Sequence, residues 1–156
     1  MLQRTLLVRA ALAYAVHEHQ LSHVHRIDVW LEPESFTVQD DGRGMGLDRA
    51  GYAEGLMGTL TCSAGAVQLH GVGLSLIAAS TPRLEVQSHR GAELWSQSFS
   101  WGNADGPPKR EAAATGTGTR MCFAGQAISP EAERAEVVAQ VERWRESNPG
   151  LTIVVH

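Results

Sequence analysis

An acidic residue that an apolar strand delivers into a glycine turn is well placed to do chemistry. Residues 36–46 read Phe-Thr-Val-Gln-Asp-Asp-Gly-Arg-Gly-Met-Gly, so Asp40 stands at the entrance of a turn holding Gly42, Gly44 and Gly46. A carboxylate there can accept a hydrogen bond from an exocyclic amine, and glycines let a flat ring lie against bare backbone. A charge-assisted bond of that kind contributes about 1.5–3 kcal/mol. An ordinary acidic turn with glycines at positive φ would use the same residues. A second segment, Leu69-His-Gly-Val-Gly-Leu-Ser-Leu, sets Gly71, Val72 and Gly73 before an apolar helix. Free N–H groups and the positive dipole end at such a helix start suit a phosphate, although a tight loop-to-helix junction looks alike. A third, Thr117-Gly-Thr119-Arg-Met, opens a strand with hydroxyls that can bond a ligand or the turn itself.

Two other constellations carry less. His17, His19, His23 and His25 crowd the end of the first helix, and His19 and His23 have the i, i+4 spacing of a paired metal site. No cysteine or well-placed carboxylate completes a set, so surface histidines are expected and no metal is assigned. The glycine runs lack Gly-x-Gly-x-x-Gly after a first strand and the acidic residue that should follow, which argues against a dinucleotide fold. Cys62 and Cys122 are isolated from each other and read as reduced thiols.

Periodicity supplies the elements that must position these residues. Thr5 to Gln20 has helical spacing, with Leu6, Ala10, Ala13, Tyr14, His17 and Leu21 as the expected buried face. Arg26 to Leu31 and Ser35 to Gln39 form a strand hairpin, followed by a short helix near Leu47 to Leu60 and a loop from Cys62 to Gln68. The apolar helix after Gly73 ends at Pro82. Strands Arg83 to Ser88 and Glu93 to Trp101 meet at an Arg90-Gly91 turn. Gly102 to Ala114 reads as an exposed loop, Thr115 to Phe123 as a strand, Pro130 to Arg145 as a helix and Leu151 to Val155 as a last strand. These elements predict one α+β domain over residues 1–156, a two-layer sandwich with a mixed, mostly antiparallel sheet and helices on one face.

Composition narrows the function. The chain has 156 residues, 43% hydrophobic and 19% charged, enough for one domain with a real core. The net charge is -4 and no Lys/Arg stripe occurs, which argues against direct DNA binding by this domain. No apolar run is long enough to span a membrane, and the N-terminal apolar stretch is broken by Arg9 with no clear cleavage site. A cytoplasmic location is expected.

Taken in order over residues 6–155, the three motifs resemble the ATP-binding domain shared by the DNA gyrase B subunit, MutL, the heat-shock chaperones and sensor histidine kinases, the GHKL or Bergerat fold. The gyrase B branch is most similar, then MutL. The resemblance implies that Asp40 holds the adenine amino group, that Gly42, Gly44 and Met45 line the ring, and that Thr119 reaches the base. It also implies that Gly71, Val72 and Gly73 wrap the phosphates, with His70 structural, and that Arg43 pairs with Glu18 at the pocket mouth. ATP or ADP, bound weakly, is the implied cofactor. Departures matter as much. Ala10 and Tyr14 fall where the family carries a general-base Glu and a magnesium-binding Asn, so no catalytic residue is assigned, magnesium is in doubt and hydrolysis is expected to be weak or lost. The lid is trimmed to Ala64 to Gln68 with no Lys, and the second, lysine-bearing domain of gyrase B is not expected here. Two alternatives stay open: a non-catalytic interaction module, or an active ATPase in a topoisomerase or MutL-like complex that draws its base from Glu18 or a partner. A protein partner or a homodimer is left open as well.

Overall fold

A computed structural model of the chain describes residues 4–47, 74, 77–111, 116–125 and 130–156. The expected short helix of residues 47–60, the 62–68 loop and Gly71 to Gly73 lie outside these, apart from Leu47. Helix α1 (Arg4–Gln20) precedes the hairpin β1 (Arg26–Leu31) and β2 (Ser35–Asp40). Then come β3 (Arg83–Arg90), β4 (Glu93–Ser100), β5 (Asn103–Ala104), β6 (Lys109–Glu111), β7 (Gly118–Ala124), α2 (Pro130–Ser147) and β8 (Thr152–Val155). The sheet runs β5-β4-β3-β7-β2-β1-β8, with β6 also on β4. Its pairs are antiparallel except β1 with β8.

Period-two alternation in the strands gives the sheet one dry face and one wet face. In β3, Leu84, Val86 and Ser88 are buried while Arg83, Glu85 and Gln87 are exposed. Strand register lines the dry residues into rows. Phe36, Phe123, Leu84 and Phe99 form one, with the two stacked rings of Phe36 and Phe123 4.6 Å apart. Val29, Val38, Met121, Val86 and Gln97 form the next. The third is polar at its middle, where Ile27 faces Asp40, and Ser88 faces both Thr119 and Trp95. The candidate site is therefore the polar end of an otherwise apolar core.

Helix α1 closes that core with Leu7, Val8, Ala11, Leu12, Ala15 and Val16, all nearly inaccessible, and α2 adds Val137 and Val141. The expected face of α1 is corrected by this. Leu6 and Leu21 are each 47% exposed, and Ala13 and Tyr14 are only half-buried. The apolar content of α1 surrounds most of the helix, so spacing alone left its buried side ambiguous. The expected loop 102–114 is also corrected, since β5 and β6 lie within it. These strands are too short and polar to show periodicity, and they form by pairing with the free edge of β4. The Gln97 amide reaches the Gly106 carbonyl at 3.1 Å and helps hold that segment down.

One buried charge pair ties the helices to the hairpin. Arg4 Nε lies 3.1 Å from Glu133 Oε2 in the first turn of α2, and both side chains are inaccessible. The same guanidinium donates to the carbonyls of Glu32, Pro33 and Ser35 and sits 5.7 Å from the centre of the Phe36 ring. Removing one partner of such a pair leaves an uncompensated buried charge. Glu133→Ala should cost about 3–5 kcal/mol in urea unfolding. Glu93→Ala, which breaks an exposed pair with Arg110, should cost about 0–1 kcal/mol.

Candidate functional site

Strand alternation splits the acidic doublet. Asp40 points into the core side and is 6% exposed, whereas Asp41 faces outward. Asp40 Oδ1 accepts the N–H of Gly42 at 2.9 Å and the N–H of Thr119 at 3.1 Å. The first bond is an Asx-type turn, which a carboxylate makes readily with the backbone two residues on. The second reaches across to β7. Among the described residues, Oδ2 accepts no hydrogen bond. Asp41 works on the other side of the strand, where its Oδ1 accepts the N–H groups of His25 at 2.8 Å and Arg26 at 2.9 Å and so fixes the entry of β1.

The glycines of the turn have a reason rooted in the backbone. Gly44 has φ +79°, and a Cβ there would stand 2.1 Å from the carbonyl oxygen of His89 in β3. Gly118 has φ +126°, and a Cβ there would stand 1.9 Å from the carbonyl oxygen of Asp40. Neither position admits a side chain, because two backbones touch. The Ser88 hydroxyl donates to the Met45 carbonyl at 2.6 Å and locks the turn onto β3. The Met45 side chain is buried in the core.

A cleft of about 220 Å³ is lined by Tyr14 and Glu18 of α1, by Arg43 to Gly46 of the turn and by Arg90. Asp40 does not line it; Asp40 and Thr119 line a second pocket, of about 190 Å³, with His89, Thr117 and Gly118. Tyr14 and Glu18 share a helix face because they are four residues apart. Arg43 donates from Nε and Nη2 to the two Glu18 oxygens at 3.1 and 3.2 Å, so the expected pair at the mouth is formed. The Arg43 side chain is half-exposed, and the pair adds little stability. Tyr14 and Ala10 both pack against the edge of the core.

Of the other residues singled out from sequence, Thr119 is buried and gives its N–H to Asp40, while the Thr117 hydroxyl donates to the Asp41 carbonyl at 3.1 Å. Gly42 gives its N–H to Asp40, and Gly71, Val72 and Gly73 are outside the described residues. Arg90 was read only as a turn residue; a cation at a hairpin tip carries no sequence signal of its own. Among the described residues no three metal-ligating side chains cluster. His19 Nδ1 is bonded to the Val24 carbonyl at 2.5 Å. No described helix is long and apolar enough to cross a membrane.

No protein-family model and no curated protein matches the sequence. The fold is similar to that of the 43K ATPase domain of Thermus thermophilus gyrase B, solved in complex with an aminocoumarin. The TM-score is 0.79 at 25% identity, covering 96% of this chain and 42% of that one. This chain thus spans less than half the length of the gyrase chain it matches. The mixed sheet and its helices agree with the GHKL ATPase fold expected from the motifs.

Burial pushes the Asp40 carboxyl up from 3.8 to about 6; the N–H groups of Gly42 and Thr119 oppose the rise and the charges of Glu18 and Asp41 add to it. The folded state therefore holds this proton more tightly than the unfolded chain. That contribution to stability is complete below pH 3.8 and is lost as pH rises through about 6. At about 1.4 kcal/mol for each tenfold change in proton affinity, the ionised side chain costs the fold on the order of 3 kcal/mol. Urea unfolding should show the wild type losing stability relative to Asp40→Asn between about pH 4 and about pH 7. Parallel pH curves for the two proteins would contradict the cost assigned to this carboxylate.

Proposed function

We propose that this chain is an adenine-nucleotide-binding module of the gyrase B ATPase type in which hydrolysis of ATP is weak or lost. The observation that carries it is Asp40, a buried carboxylate that weakens the fold when ionised and keeps one oxygen free of hydrogen bonds among the described residues. Strongly shifted groups of this kind concentrate at functional sites. An exocyclic amine donating to Oδ2 satisfies that oxygen and favours the charged form. Gly42, Gly44 and Met45 then border the base, with Arg43 at the mouth and Thr119 beside Asp40. The segment Gly71 to Gly73 serves the phosphates through its backbone N–H groups. A protein partner or a second copy and a cytoplasmic setting belong to the same proposal.

Weak hydrolysis follows from the wall that α1 offers. Ala10 has no proton acceptor, and both oxygens of Glu18 are engaged by Arg43. A missing general base lowers a rate by about 10²–10⁴. The gyrase domain of similar fold was solved with an aminocoumarin. A ligand of that class is expected to compete with adenosine for Asp40.

Isothermal titration with adenosine and ADP tests the binding claim. The wild type should bind both, and Asp40→Asn, which turns an amide donor toward the amine, should weaken binding about 10–100-fold. No heat of binding at millimolar ligand in the wild type would contradict it. A phosphate-release assay tests the rest: turnover above the protein-free rate that falls on Glu18→Gln would show hydrolysis to be retained.

A further inference from the structure

We propose that Tyr14 is a specificity-determining residue that makes nucleotide binding at this site independent of magnesium. The inference rests on the nucleotide reading above and adds to it the metal state of the ligand. Magnesium bound with a nucleotide keeps several waters and the phosphate oxygens, and takes only one or two hard oxygen ligands from protein. A single carboxylate or amide oxygen on the helix wall would therefore suffice, and which residue stands there decides whether the ion is held.

Helix α1 places residues 10, 14 and 18 along one side at intervals of four. Ala10 supplies no oxygen. Glu18 has both oxygens on the Arg43 guanidinium at 3.1 and 3.2 Å. Between them Tyr14 presents a phenol, a poorer ligand for a hard cation than a carboxylate or amide oxygen. Asp40 does not line the cleft that Tyr14 borders; its Oδ1 is committed to two N–H donors and its Oδ2 is the oxygen that the reading above gives to the exocyclic amine, while Asp41 Oδ1 holds two other N–H groups on the outer side. Arg43 and Arg90 also line the cleft, and a guanidinium offers a cation no oxygen. The donor set of the described residues does not fit magnesium. What α1 offers instead is an aromatic ring that packs on the core and borders the cleft, a surface for a nucleoside or a metal-free nucleotide.

The test titrates ADP into the full chain in EDTA and again in excess magnesium chloride, with adenosine as the metal-indifferent reference. The wild type should give the same Kd in both buffers to within about twofold. Tyr14→Asn supplies an amide oxygen and should bind ADP about tenfold tighter with magnesium than without, whereas Tyr14→Phe should show no such gain. Thermal unfolding without ligand checks that each variant is folded. Magnesium-dependent tightening in the wild type would overturn the inference and leave the nucleotide reading standing. An equal magnesium response in Tyr14→Asn and Tyr14→Phe would overturn the role given to residue 14. Failure of both adenosine and ADP to bind in either buffer would remove the nucleotide reading, and this inference with it.

Discussion

A single carboxylate oxygen, Asp40 Oδ1, joins three separate stretches of the chain: the end of β2, the glycine turn that follows it, and the entry of β7. The glycine turn that lines the cleft starts from that junction. Because Oδ1 is held by two backbone donors, the side chain is fixed in direction. Because β2 and β7 are neighbours in the sheet, the same bonds set how far β7 advances beside Asp40. The turn is then pressed so closely against β3 and β7 that Gly44 and Gly118 have no room for a Cβ. Ser88 seals it from the opposite side through the Met45 carbonyl.

The energetic character of this junction differs from that of the rest of the core. Two of the three dry rows of the sheet are almost wholly apolar, and each buried side chain there contributes about 1.5–3 kcal/mol by leaving water. The third row replaces that gain with a carboxylate whose ionisation opposes folding. The N–H groups of Gly42 and Thr119 offset part of that cost, and an amide at position 40 would keep an oxygen for them without the ionisation. Arg4 and Glu133 are the contrast. They too are charged and buried, yet each faces the other, and the guanidinium also serves three carbonyls at the far end of the hairpin. Those two charges are paired within the protein, whereas Asp40 has one oxygen that accepts no hydrogen bond among the described residues.

Much of this could be read from residues. The strand running into Asp-Asp-Gly-Arg-Gly marked the turn, and the order of the three motifs pointed to the fold that gyrase B shares. The Arg43–Glu18 pair was legible too. What escaped has physical causes. The buried side of α1 was displaced because a helix apolar around most of its girth shows no clear stripe, so Leu6 and Leu21 were placed inward although both are exposed. Arg4 went unnoticed because a charged residue at a helix start usually lies in water, and only the tertiary arrangement reveals its carbonyl partners. Strands β5 and β6 have two and three residues, too few for alternation to register. Sequence suggests that the turn glycines give clearance for a ring, but Gly44 is required first by backbone contact, as is Gly118 across the sheet.

Under the proposed function an adenine amine donates to Asp40 Oδ2, which accepts no hydrogen bond among the described residues. The most direct measurement is a crystal structure of the chain with adenosine. The N6 amine is expected about 3 Å from Asp40 Oδ2, with Oδ1 still accepting from Gly42 and Thr119. A structure in which the base lies elsewhere, or in which Oδ2 is satisfied by a protein donor while the ligand sits beyond its reach, would contradict it.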